Sequence, residues 1–318
     1  FGGTAVVAYL FNCMGKSVTY NDYLRFNYCR GKAIIENSEV RLSSDDIEQV
    51  IRGPGKERSF IRESFRGMYF TDDENAWLDR VTGNIDGLSS LYDGTALEYK
   101  KALAYYALFE SCLMKRPFNL FHRRNLYLRT SDVKRTFGNK VTWDRPFEEV
   151  FRRFVDEANS LVFSNGIENK AINDDALRVK SGKYDLVYID PPYFCPGKSD
   201  ADSDYLRMYH FLEGLANYEK WGDLIDRNSS NLHLRTNGNG WVHEASAKDN
   251  LEQLFSQFEE SIIVISYKSP GIPTRQEIVD LLKKYKKNVL VSEKDYRYAL
   301  SRANGNGRKN LELLVIGY

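Results

Sequence analysis

Four consecutive residues carry the strongest chemical signal in the chain: Asp190, Pro191, Pro192 and Tyr193. They follow the apolar run Leu186-Val187-Tyr188-Ile189, the pattern of a short strand buried on both faces. Neither proline can donate a backbone hydrogen bond to a sheet, so the chain must leave the sheet at Asp190. The prolines then hold a carboxylate, a carbonyl and an aromatic ring on one stiff corner. The Asp190 carboxylate and the Pro191 carbonyl are two acceptors, matched to the two hydrogens of an exocyclic amine. Accepting both draws the nitrogen towards tetrahedral geometry and exposes its lone pair to an electrophilic methyl group. Tyr193 offers a ring on which the heterocycle bearing that amine can stack. Such a transfer needs positioning and charge stabilisation more than a strong base. An isolated Asp-Pro would be read as a strand end and nothing more.

A second group of residues opens the chain. Phe1-Gly2-Gly3-Thr4 is a glycine turn running into the helical stretch Ala5–Phe11, with Gly15 as its C-cap. Ser17–Tyr20 reads as a short strand closed by Asn21-Asp22. A glycine turn before a helix equally suits tight packing. It also lets a ligand approach the backbone at a helix N-terminus. Asp22, roughly 20 residues on, stands where nucleotide-binding βαβ units place the acid that binds ribose hydroxyls. Together these features point to an adenosine-type ligand. Ligands of open α/β sheets lie beyond the carboxyl ends of the strands, which would bring Asp190 beside the same site. No initiating methionine and no strand precede the glycine turn, so an upstream element of this unit is expected beyond the sequence.

Positioning these groups requires a sheet. After Leu161 strands and helices alternate: a strand at Tyr184–Asp190, another at Ser261–Tyr267, then a helix at Thr274–Tyr285 with Ile278, Leu281, Leu282 and Tyr285 on one face. Strands at Asn288–Ser292 and Leu311–Tyr318 follow. The alternation implies an α/β fold, a doubly wound, mostly parallel sheet with helices on both faces. The last strand is expected to return antiparallel beside its predecessor. This catalytic domain takes residues 1–37 and 159–318. Residues 38–158 differ in character: polar, helical through EYKKALAYYALFESCLMK, and without an evident buried parallel strand. They read as an inserted, mainly helical domain. Within it, Arg123, Arg124, Arg129, Lys134, Arg135 and Lys140 form a basic, aromatic-interleaved run that can contact phosphates, and its arginines can read guanine edges. A solvated basic face is the plain alternative.

The bulk numbers exclude several classes. A net charge of +1 over 318 residues, with 28% charged and 42% hydrophobic content, describes a folded globular chain. That balance neither announces nor excludes a nucleic acid, because recognition depends on where the basic residues lie. Cys13, Cys29, Cys112 and Cys195 are scattered, with no C-x-x-C and no ligand spacing to the histidines. That pattern argues against a zinc site or a disulfide framework and for a reducing, cytoplasmic setting. No apolar run approaches the roughly 20 residues that span a bilayer, so no membrane is expected as a partner.

In this order, FGGTAVVA, TYND and Asp190-Pro191-Pro192-Tyr193 resemble the adenine-specific DNA N6-methyltransferases. The closest branch is that of the DNA adenine methylases and restriction-modification methylases in which the cofactor motif precedes the catalytic one. INDDAL, YHFLEGLANY, SIIVISYKS and DYRYALS…ELLVIGY extend the resemblance over both ends of the chain, and it is weakest across 38–158. It implies a Rossmann-like methyltransferase sheet with a target-recognition insert, and S-adenosyl-L-methionine as cofactor. Phe1, Gly2 and Gly3, with Thr4 beside them, fall on the methionine and ribose side, Asp22 on the ribose, and Asp175-Ala176 near the adenine, with Asp174 an alternative register. Ala5 stands where the family often has a second glycine. The implied acceptor is the N6 amino group of an adenine flipped from double-stranded DNA, with Asp190, Pro191, Pro192 and Tyr193 catalytic. A cognate restriction endonuclease is the implied partner in the system, without a stable complex. The loop at 195–204 is a candidate lid. Tyr205–Phe211, Tyr267, Tyr296 and Tyr298 are candidates to frame the base, and TNGNGW reads as a turn. Two rivals remain: a methyltransferase acting on an RNA base or a protein glutamine amide, and an inactive nucleic-acid-binding subunit.

Overall fold

The computed structural model describes residues 1–116, 120–121, 126–131, 140–182, 184–197, 204–236, 241, 243–296 and 310–318. Two compact units share them: Gly2–Asn173 with Leu206–Arg235, and Phe1 with Asp174–Tyr205 and Thr236–Tyr318. The seams expected at 37/38 and 158/159 are not where these units part. One apolar core joins Ala5, Val18, Tyr20 and Ile34 near the start of the chain to Leu103, Phe109, Phe151 and Val155 in the helical stretch.

The first unit is mainly helical. Its elements are α1 (Val6–Cys13), β1 (Thr19–Asn21), α2 (Arg25–Gly31), α3 (Ser44–Arg52), α4 (Phe60–Ser64), α5 (Asp72–Gly87), α6 (Gly94–Met114), α7 (Lys140–Asp144), α8 (Phe147–Leu161) and β2 (Lys170–Ile172). After the short α9 (Tyr205–Met208) come α10 (His210–Ala216) and α11 (Trp221–Leu224). Helix starts follow local chemistry: Ser43 with Asp46 and Thr71 with Glu74 form reciprocal capping boxes that satisfy the free amides of α3 and α5. Helix α8 buries Phe147, Val150, Phe151, Val155 and Ala158, a single face at helical spacing. Helix α6 buries residues around most of its girth and packs on α8 and α2, which makes it the axis of the core. Strands β1 and β2 pair in parallel, Asn21 opposite Ile172. Gly15, at φ +70°, ends α1 as expected.

The second unit holds β3 (Leu186–Ile189), α12 (Glu244–Gln257), β4 (Ile262–Ser269), α13 (Arg275–Leu282), β5 (Val289–Tyr296) and β6 (Asn310–Gly317). Its four strands run in the order β3-β4-β6-β5, with β3 and β4 parallel and β6 antiparallel to both neighbours. The last strand does return antiparallel beside its predecessor, and it also enters between β5 and β4. Thr274 and Glu277 cap α13, which buries Ile278, Leu281 and Leu282. Those residues pack with Leu251, Leu254 and Phe255 of α12 and with Ile263, Ile265 and Val315 of the sheet. Strand β3 is less enclosed than its apolar run suggests, with Ile189 alone fully buried. The chain is thus mixed α/β, and its described strands form two separate ladders, β1–β2 and the four-stranded sheet. No helix among the described residues is long and apolar enough to cross a membrane.

Candidate active site

The glycine turn is stitched to the end of β1. Gly2 N–H donates to the Asn21 carbonyl at 2.8 Å, and Gly3 N–H to Asp22 Oδ2 at 2.9 Å. Asp22 Oδ1 accepts from Leu24 N–H at 2.8 Å. The Tyr20 hydroxyl donates to the Gly3 carbonyl at 2.9 Å. Asn173 Nδ2 holds the Asp22 and Tyr23 carbonyls, each at 2.9 Å. Both glycines are required, for different reasons. A Cβ on Gly2 would lie 2.0 Å from the Tyr20 ring, whereas Gly3 sits at φ +52° facing open space. Ala5 is itself left-handed, at φ 65°. This is the conformation that favours glycine and costs an L-residue roughly 1–2 kcal/mol. Thr4 is exposed beside the turn. Asp22 is buried and engaged by both oxygens, yet a carboxylate has about four lone-pair sites and retains capacity for hydroxyl donors. Gly2→Ala should cost about 1–3 kcal/mol through overlap with the Tyr20 ring. The expected result is a lower melting temperature with donor affinity reduced at least tenfold by calorimetry; unchanged affinity would remove the turn from the site.

Phe1, Asp175 and Ala176 gather in the other unit around Trp241. This indole packs edge-on to Phe1, ring centres 4.6 Å apart, and its Nε1 donates to Asp175 Oδ1 at 3.1 Å. The same oxygen accepts from Leu177 N–H at 3.0 Å and so caps the short turn that begins at Ala176. Asp174 instead accepts from the Asp175 amide. Trp241 is buried, whereas its sequence, TNGNGW, suggested only a turn. The tryptophan that closes this polar, glycine-containing run was the available signal. The residues expected at the cofactor therefore form two groups, one in each unit.

The candidate catalytic corner begins where β3 ends. Pro191 and Phe194 are buried, and Phe194 is pinned by Ile272 N–H, which donates to its carbonyl at 3.1 Å. Tyr267, buried on β4, donates its hydroxyl to the Ile272 carbonyl. Its ring meets that of Tyr193 edge-on, with centres 5.3 Å apart. The Tyr193 hydroxyl donates to Asp190 Oδ1. Burial raises the Asp190 carboxyl from its ordinary value, and the Tyr193 hydrogen bond opposes part of that rise. Burial and the Asp190 charge push the Tyr193 phenol far above its ordinary value, so it stays a donor. From the sequence only the Tyr193 ring has a role; the structure adds the hydrogen bond from its hydroxyl to Asp190. Lys268 stands beside this corner, 2.7 Å from Cys195 Sγ and 5.7 Å from the centre of the Tyr193 ring.

The basic run is described only in part. Arg123, Arg124, Lys134 and Arg135 lie outside the described residues, as does the side chain of Lys140. Arg129 is a correction. Its guanidinium is buried, paired with both oxygens of Glu74 at 2.5 and 2.8 Å, and donates to the Trp143 carbonyl at 2.9 Å. Lys115 pairs with the same carboxylate at 2.9 Å. Glu74 is the capping-box acid of α5, and a carboxylate so enclosed needs cations around it. Arg129 is therefore spent inside the fold and not on a phosphate. Arg129→Ala should destabilise the protein by about 3 kcal/mol, since breaking a buried pair leaves uncompensated charge. DNA affinity measured on folded protein should keep its salt slope; a slope reduced by one contact would restore Arg129 to the DNA surface.

Among the other aromatic candidates, Phe211 and His210 are core residues: Phe211 stacks on Phe121 with centres 4.9 Å apart, and His210 Nε2 meets the Tyr69 hydroxyl at 2.9 Å. Tyr205 is exposed. Residues 198–203 of the candidate lid, the side chain of Tyr296, and Tyr298 lie outside the described residues. Among the described residues no His/Cys/Asp/Glu cluster suits a metal ion.

A glycine turn clamped by a buried acid, with a carboxyl-proline-tyrosine corner at the end of a parallel strand, marks a methyltransferase that acts on an amino group. Residues 1–268 match the model of the D12 class N6 adenine-specific DNA methyltransferases, and the chain belongs to that family. It is 25% identical to the Type II methyltransferase M2.HphI of Haemophilus parahaemolyticus, over 95% of this chain and 84% of that protein. It is 24% identical to the modification methylase StsI of Streptococcus sanguinis, over 98% of this chain and 46% of that protein. It is 27% identical to the modification methylase LlaI of Lactococcus lactis subsp. lactis, over 99% of this chain and 49% of that protein. The chain thus spans about half the length of the last two relatives. No solved structure matches it.

Proposed function

We propose that the chain transfers the methyl group of S-adenosyl-L-methionine to the N6 amino group of an adenine flipped out of double-stranded DNA, as the modification enzyme of a restriction-modification system. The observation that carries this reading is the Asp190–Tyr193 pair, a half-buried carboxyl and an aromatic donor held together at the end of a parallel strand. S-adenosylmethionine, when bound, supplies an electrophilic methyl group on a sulfonium. Gly2, Gly3, Thr4 and Asp22 suit its methionine and ribose, because the turn leaves open space at Gly3 and the acid keeps spare lone pairs. Phe1, Asp175 and Ala176 suit its adenine. Asp190 and the Pro191 carbonyl accept the two hydrogens of the adenine amine and aim its lone pair. As methylation makes that nitrogen cationic, the nearby carboxylate stabilises the charge, and its raised pKa fits it to take the surplus proton. Tyr193 stacks on the extruded base.

The finer architecture belongs to the same proposal: a Rossmann-like doubly wound sheet, with residues 38–158 as the target-recognition region. Arg123, Arg124, Lys134, Arg135 and Lys140 contact phosphates there. The printed names of the relatives, a type II methyltransferase and two modification methylases, support the restriction-modification setting, with a cognate endonuclease that needs no stable complex. The test is incubation with methyl-labelled S-adenosylmethionine and, in parallel, duplex DNA, structured RNA and a glutamine-rich protein. Label in DNA alone is expected; label in RNA or protein would replace the acceptor.

A further inference from the structure

Glu213 belongs to none of the sites above. It lies on α10, and its carboxylate reaches the chain just after Asp22. Oε1 accepts from Arg25 N–H at 3.1 Å and Oε2 from Phe26 N–H at 3.0 Å, while Asn217 Nδ2 donates to Oε1 at 3.0 Å. The amide immediately before, that of Leu24, is held by Asp22 Oδ1. Three successive amides are thus taken by two carboxylates, and the other Asp22 oxygen holds Gly3. The path from Glu213 to the glycine turn is therefore a chain of hydrogen bonds within one unit: Glu213, the Leu24–Phe26 corner, Asp22, Gly3.

We infer that Glu213 is a positioning residue for the methyl-donor site: its ionised carboxylate fixes the corner that aims Asp22, and donor affinity depends on that charge. The inference rests on Asp22 as the ribose acid. Burial is the main cause that pushes the Glu213 carboxyl up, to about 7; the Phe26 and Arg25 amides and Asn217 oppose it, and Asp22 adds to it. Ionised, both oxygens accept amide hydrogens. Protonated, one oxygen carries a hydrogen of its own and is a poor acceptor. The sign follows: donor affinity is full above the folded pKa and falls as pH drops through it. The charged and titratable groups that act on Glu213 are Asp22 and, on α2, Cys29; Arg25 and Arg30 act on the same Cys29, and Arg30 pairs with Glu110 of α6 at 2.5 Å. Burial drives Cys29 to about 12 and His210 to about 3, so neither changes charge near neutrality.

Calorimetry of S-adenosylmethionine binding at pH 6, 7 and 8 tests this in wild type, Glu213→Gln and Glu213→Ala, with thermal melts alongside. The ionised fraction falls about tenfold between pH 8 and pH 6 for a pKa near 7, so wild-type affinity should fall by about that factor. Glu213→Gln, which keeps one acceptor oxygen without the charge, should bind with a flat pH dependence near the wild-type pH 6 value. A merely structural role would lower melting temperatures and leave the pH dependence in place. Wild-type affinity at pH 8 in Glu213→Gln, or a wild-type slope in that variant, overturns the inference. A wild type that binds no S-adenosylmethionine at any of these pH values overturns the donor-site reading, and this inference with it.

Discussion

Asp190→Ala is expected to lower methyl transfer by at least about 10³-fold while S-adenosylmethionine binds within about tenfold of wild type. Removing one preorganised partner of developing charge typically costs about 10²–10³ in rate. In the proposed mechanism Asp190 has two tasks, aiming the lone pair and meeting the cationic nitrogen, so the upper end of that range is the lower bound here. The glycine turn and Asp22 form their own hydrogen-bond network, to which Asp190 does not contribute. Donor affinity should therefore survive. Stability gives a second, independent readout. The folded-state pKa of Asp190 is raised, so its protonated form is the one the fold favours. Its contribution to stability is present below the unfolded pKa and lost as pH rises through the folded one. Asp190→Asn should consequently melt no lower than wild type at pH 8, with any advantage shrinking as pH falls. Near-wild-type turnover in either variant would remove Asp190 from the mechanism.

Tyr193 should separate into two effects, one for its ring and one for its hydroxyl. Base stacking on an aromatic side chain is worth roughly 1–3 kcal/mol, so Tyr193→Ala should lose about ten- to hundredfold in kcat/KM. Tyr193→Phe keeps the ring and removes the donor to Asp190. That donor holds the carboxyl down, so without it the Asp190 pKa rises further. Activity that needs the carboxylate is lost as pH falls through that pKa, and the acid limb of the Phe variant should lie at higher pH than in wild type. At alkaline pH the Phe variant should approach wild type and the Ala variant should not. Equal damage from the two at alkaline pH would contradict stacking, and an unmoved acid limb would contradict the hydroxyl's role.

The candidate site residues were legible because their constraint is local. Asp190 to Tyr193 declares itself through two prolines after an apolar run, and Gly2, Gly3 and Asp22 through a glycine turn with an acid at the end of the next strand. Helix α13 showed its buried face in the spacing of Ile278, Leu281 and Leu282. What the sequence hid is the set of partners fixed only by packing. Arg129 looks like its basic neighbours, and its inward turn depends on Glu74 and on a capping box 55 positions away. Glu213 meets Arg25 across 188 positions and Trp241 meets Asp175 across 66. The strand β6 carries an apolar pattern that fits several places in a sheet; its pairing with β4 as well as β5 is a property of the assembled unit. The same holds for the units themselves. The glycine-turn segment shares its core with α6 and α8, although composition had suggested a boundary near residue 37.

The most direct measurement is the chemical position of the transferred methyl group. Duplex DNA treated with the protein and methyl-labelled S-adenosylmethionine is digested to nucleosides and resolved by mass spectrometry, with Asp190→Ala as the parallel reaction. The expected result is label in N6-methyladenine alone with wild type and none with the variant. Label on the cytosine N4 or C5 atom, or N6-methyladenine formed equally by the Asp190→Ala protein, would contradict the account.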